Sequence, residues 1–147
     1  MDIDEIREWF QIADDDFDSA KLLFEAVRKH NEIICYHCAQ AVEKYLKGYL
    51  AYKEVTFQRV HNLLYLLELC IEKDNSFENI RTECGLLNMY NNEIRYPDRI
   101  EVKIEDVKYS LSAVERIKVI EPFKKLRDFI TNPEKIKNED IENNIKG

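Results

Sequence analysis

The sequence predicts an all-α fold, an antiparallel up-and-down bundle of four to five helices, and three observations predict it. Glycine and proline number three each in 147 residues, too few for the closely spaced turns of an all-β chain. Leu, Ile, Glu, Lys and Ala are frequent instead. Apolar residues recur at intervals of three and four, the spacing that gathers side chains on one face of a helix. The length suits one domain that buries a core without disulfides or a structural metal. Residues 1–130 are assigned to the bundle. The charged, weakly apolar residues 131–147 are expected to form a mobile tail.

The first helix is expected from Ile3 to about Arg28, with Ile6, Trp9, Phe10, Ala13, Phe17, Ala20, Phe24 and Val27 on one face. Asp2, Asp4 and Glu5 complement the positive end of its dipole. A second helix should run from Glu32 to Lys53, with Cys35, Cys38, Val42, Tyr45 and Tyr49 as its inner stripe. Residues 54–60 show no helical pattern and read as a loop. Asn62, with His61 as the weaker choice, caps a short, strongly apolar helix from Leu63 to Glu72. Ser76 opens a fourth helix, Phe77 to Arg95, which Pro97 stops. A fifth begins near Ile104; at Pro122 it either kinks or gives way to a new helix with proline in its first turn. No internal repeat is visible.

The net charge of −7 argues against tight non-specific binding to a phosphate backbone, so a nucleic acid would need a local basic patch. No apolar run approaches the roughly 20 residues that span a bilayer, and the N-terminal MDIDEIREWF is acidic where a signal peptide is basic. A cytoplasmic protein without membrane contact is expected. Cys35, Cys38, Cys70 and Cys84 are then expected to be reduced, buried thiols. The Cys35, His37, Cys38 spacing lacks the second ligand pair of a metal site, so no metal and no cofactor are expected.

On the second helix His37, Gln40, Lys44 and Lys47 share one polar, partly cationic strip, which is either a solvated face or a binding surface. Asp16 borders the apolar stripe of the first helix and is expected to pair with His37, Lys44 or Arg95. Near the end of the fourth helix Asn91, Asn92, Arg95 and Tyr96 gather hydrogen-bonding groups beside an aromatic ring, a composition suited to phosphate and base contacts. His61 is read as a structural residue at a helix start.

Trp9, Ala13, Asp16 and Ala20, the run Cys35 to Lys47, His61-Asn62-Leu63, and Arg95-Tyr96-Pro97-Asp98 together resemble the HEPN family, in order and spacing. The resemblance covers roughly residues 5 to 120. It implies a bundle that is commonly a homodimer and often partnered with a minimal nucleotidyltransferase. Many relatives are metal-independent ribonucleases of toxin-antitoxin and defence systems. Their signature is an Arg followed after four to six residues by a His, a cation to stabilise the phosphorane beside an acid-base group that works near neutrality. Arg95 stands in the position of that arginine, but no histidine follows it. The expected role is therefore a nucleotide-binding or protein-interaction module. The alternatives are a ribonuclease that uses Arg95 with a relocated acid-base group such as His37, and a purely structural dimer.

Overall fold

Helix α2 (Asn31–Tyr52) is the axis of the molecule, and its composition explains why. Its apolar residues cover far more than one stripe, so the helix gains by being enclosed rather than laid on a surface. The computed structural model describes residues 1–26, 30–92 and 101–134, and of Asn92 the backbone alone. Around α2 stand α1 (Ile3–Phe24), α3 (Leu63–Lys73), α4 (Arg81–Asn92), α5 (Ile104–Ile117) and α6 (Glu121–Thr131), with a 3-10 turn over Asn75–Ile80 leading into α4. All five contact α2, and α1 packs along it most extensively. There is no strand among the described residues, and no helix among them is long and apolar enough to cross a membrane.

The helix ends follow local chemistry. The Asp2 side chain accepts hydrogen bonds from Asp4 N at 3.0 Å and Glu5 N at 3.3 Å, opening α1. The helix ends at Phe24, earlier than its apolar spacing suggests, and residues 27 and 28 of the expected span lie outside the described residues. Asn62 caps α3 through bonds of 3.0 and 3.1 Å from Leu64 N and Tyr65 N. Asp74, not Ser76, receives the N–H groups that follow it, so the chain winds first into the 3-10 turn. That displaces the start of α4 from the expected Phe77 to Arg81, because the tighter turn buries Phe77 and Ile80 against the core. At Pro122 a new helix begins: Ile120 is its N-cap and proline falls in its first turn, where its missing N–H is not needed.

The expected stripe of α1 is the buried one: Ile6, Phe10, Ala13, Phe17 and Ala20 meet α2. All four cysteines are free and buried. Burial pushes the Cys35 thiol up to about 11 and that of Cys84 up to about 12, so both pack as neutral small hydrophobes at physiological pH. The expected tail lies almost wholly outside the described residues, which resume no further than Glu134.

One ionic clamp closes the ring of helices. Arg127 on α6 donates to both oxygens of Asp14 on α1, each at 3.1 Å, and Tyr45 of α2 donates its hydroxyl to the same carboxylate. The guanidinium also lies over the Phe10 ring, 5.2 Å from its centroid. Burial alone would raise the Asp14 pKa, but the bonds from Arg127 and Tyr45 outweigh it and hold the carboxyl below its ordinary 3.8. A carboxylate with a depressed folded pKa contributes stability that is fully present above 3.8 and lost as pH falls through the folded value. Arg127→Met is therefore expected to cost about 1–2 kcal/mol at neutral pH, allowing for the partial exposure of the pair. Urea denaturation should show that difference shrinking as the pH is taken below 3.8.

Candidate functional site

His37, Gln40, Lys44 and Lys47 follow one another along α2, but the strip is not a solvated face. Gln40 and Lys47 are only 7% and 8% exposed, because the neighbouring helices cover this side of α2 as well. At its centre is Glu43, a fully buried carboxylate. Its Oε2 lies 3.1 Å from Lys44 Nζ and 3.4 Å from Lys47 Nζ, and its Oε1 lies 3.0 Å from His61 Nδ1. Three basic groups from two segments thus converge on one buried acid. Lys47 Nζ also stands 5.7 Å from the centroid of the Trp9 ring and 5.9 Å from that of Phe57, a third source of attraction for its charge.

The network continues outward from Lys44. Its ammonium donates to Gln40 Oε1 at 2.7 Å, and Gln40 Nε2 donates to Asn91 Oδ1 at 3.0 Å. Asn91 in turn reaches the His61 carbonyl at 3.5 Å. Asn88, one turn earlier on α4, accepts from Leu63 N at 2.8 Å. The last turn of α4, the start of α3 and the middle of α2 are therefore tied into one polar cluster. Asn91 faces Gln40 and Lys44; Arg95, Tyr96 and the Asn92 side chain lie outside the described residues.

Asp16 approaches the same strip from α1. Its Oδ1 is 3.5 Å from His37 Nδ1, too long for a strong hydrogen bond, and that buried nitrogen has no other partner among the described residues. Burial raises the Asp16 pKa above its ordinary value, and the nearby charge of Lys44 and the His37 ring offset only part of that rise. A half-buried carboxylate thus borders the His37 ring without a strong bond to it.

The residue that the sequence reading passed over is Glu43. A signal was present: Ala39, Glu43, Leu46 and Leu50 are spaced four, three and four apart, which places the acid in register with buried positions.

An enclosed central helix, surrounded by helices and carrying a buried ionic cluster that opens toward the α4 terminus, defines a small helical-bundle protein with one polar site. The sequence matches the HEPN domain family over residues 6–126, and the chain belongs to that family. Its fold is similar to the crystal structure of an archaeal HEPN homologue, with a TM-score of 0.63 and 20% identity, over 85% of this chain and 97% of that one. No curated protein matches.

Proposed function

We propose that the chain is a nucleotide-binding module that acts as one component of a two-component system with a nucleotidyltransferase, and that its ligand sits where Lys44 and Gln40 meet Asn91. The observation that carries this reading is the Gln40–Asn91 hydrogen bond of 3.0 Å. It fixes the last turn of α4 against a lysine, and the sequence runs from that turn to Arg95 within four residues. The two amides offer both donors and acceptors to a base edge. Lys44 is the more exposed of the two lysines on Glu43, at 17% of its side chain against 10%, and with Arg95 it would face a phosphate. Without a histidine after Arg95, binding is favoured over cleavage.

The test is thermal denaturation with nucleoside mono-, di- and triphosphates. A ligand at 100 times its Kd adds about 2.7 kcal/mol, a rise of roughly 5–10 °C for a domain of this size. Lys44→Ala and Arg95→Ala should each remove the rise. No shift with any nucleotide leaves the structural dimer as the better account. The Asp16–His37 approach favours a second reading, a metal-independent ribonuclease in which His37 transfers the proton and Arg95 stabilises the developing charge. Loss of a measurable RNA cleavage in His37→Ala and Arg95→Ala would select it.

A further inference from the structure

Outside the polar cluster, the outer face of α1 combines an apolar groove with acidic residues. Glu5, Glu8, Trp9 and Ile12 line a groove of about 260 Å³. Their spacing of three, four and seven places them on one helical face, the register by which helices and extended peptides are gripped. Ile12 is 37% exposed, a large apolar side chain turned to solvent at the edge of a partly buried indole.

The charge around this groove is one-sided. Helix α1 carries seven carboxylates and two basic residues. Most of those acids are already engaged: Asp4 with Arg7 at 3.2 Å, Asp18 with Lys21 at 3.4 Å, Asp14 with Arg127, Asp16 with His37, and Asp15 with the Gln11 amide at 2.9 Å. The side chains of Glu5 and Glu8 have no hydrogen bond or ion pair among the described residues. Among the described residues, the two acids of the helix without such a partner are thus the two that flank its apolar groove. A nucleic acid or an anionic membrane has the wrong sign for such a surface, and a chain of net charge −7 adds to the repulsion.

We propose that this groove docks a basic amphipathic segment of a partner protein, one apolar side chain resting on Trp9 and Ile12 while flanking Lys or Arg residues pair with Glu5 and Glu8. Apolar contact supplies the anchor, and complementary charge supplies register and speed of encounter. The groove meets the polar cluster through Trp9, whose ring lies beside Lys47, but the proposal does not rest on the nucleotide reading.

Trp9 is the only tryptophan of the chain, and because its ring also lies beside Lys47 of the polar cluster, the groove variants below are what assign a change in emission to this groove. The probe is a synthetic amphipathic Leu-Lys peptide, titrated into the full chain at moderate salt, with a Leu-Glu peptide and a plain Lys peptide for comparison. The expected result is a saturable change in Trp9 emission with the Leu-Lys peptide only. Charge reversal in Glu5→Lys/Glu8→Lys should weaken binding by about tenfold or more, and Ile12→Ala should weaken it as well. Glu115→Lys, an exposed reversal on α5, should leave it unchanged. All substituted positions are exposed, and circular dichroism verifies that the helices persist. The proposal is overturned if the plain Lys peptide binds equally well, or if Glu115→Lys is as damaging as the α1 variant, because binding then follows net charge alone. It is also overturned if RNA or anionic vesicles change the emission in the same way and still do so in Lys44→Ala, which disables the proposed nucleotide site. A change that depends on protein concentration without peptide would assign the groove to a second copy of the chain instead.

Discussion

Glu43→Ala is expected to destabilise the fold by about 3–5 kcal/mol, the range for removing one partner of a buried charge cluster. The carboxylate is wholly enclosed and is shared by Lys44, Lys47 and His61. Without it, two ammonium groups on adjacent turns of one helix remain close together, largely buried and without the carboxylate they share. Glu43→Gln keeps an acceptor for two of the three donors and should cost less. Lys47→Met should cost less again, since Lys44 and His61 still satisfy the acid and the new side chain packs on Trp9 and Phe57. Urea denaturation of the four proteins gives the order. A loss below about 1 kcal/mol in Glu43→Ala would mean that the cluster is hydrated and makes no net contribution.

The second large effect comes from a residue with no side chain. A Cβ added at Gly48 would lie 2.8 Å from both Cδ1 and Cε1 of Phe10 and 3.2 Å from Trp9 Cβ. Phe10 cannot retreat: it is 1% exposed, and its ring meets Tyr45 at 5.3 Å and Phe123 at 5.9 Å between centroids. Overpacking of this kind costs about 1–3 kcal/mol, while replacing a mid-helix glycine by alanine returns about 1 kcal/mol of intrinsic helix preference. Gly48→Ala should therefore be mildly destabilising, and Gly48→Val, with two more methyl groups in the same gap, should lose about 3 kcal/mol or more. Gly85 on α4 provides the opposite sign. Nothing lies within 4 Å of its added Cβ, so Gly85→Ala should stabilise the protein by about 0.5–1 kcal/mol. Thermal denaturation of the three variants tests both the clash and the propensity argument.

The sequence made most of the helices legible because each reports itself locally. The α1 stripe of Ile6, Phe10, Ala13, Phe17 and Ala20, the Asn62 cap and the Pro122 start all rest on neighbours within a turn or two. What escaped depends on distance or on the sum of all faces. Asp14 and Arg127 are separated by more than a hundred positions, and nothing local announces that they meet. The strip of His37, Gln40, Lys44 and Lys47 looks like a solvated face when α2 is viewed one stripe at a time. Only the remaining sides of the helix, apolar from Ile34 to Leu50, indicate that it is enclosed. Glu43 was lost for the same reason, since a Glu four residues before a Lys is the usual pattern of an exposed pair. The 3-10 turn escaped because Asp74 and Ser76 are both good capping residues, and which one acts is decided by the burial of Phe77.

The enclosure of α2 also divides the freedom of the chain to change. Fourteen of its 22 residues are buried, so a substitution there is paid for in packing before it can alter recognition. Variation that adjusts what the protein binds is better tolerated at the last turn of α4, at the start of α3 and on the outer face of α1, where side chains touch the site or solvent and little of the core. The central helix acts as a fixed reference for the polar cluster, and new specificity can arise around it without loss of the fold.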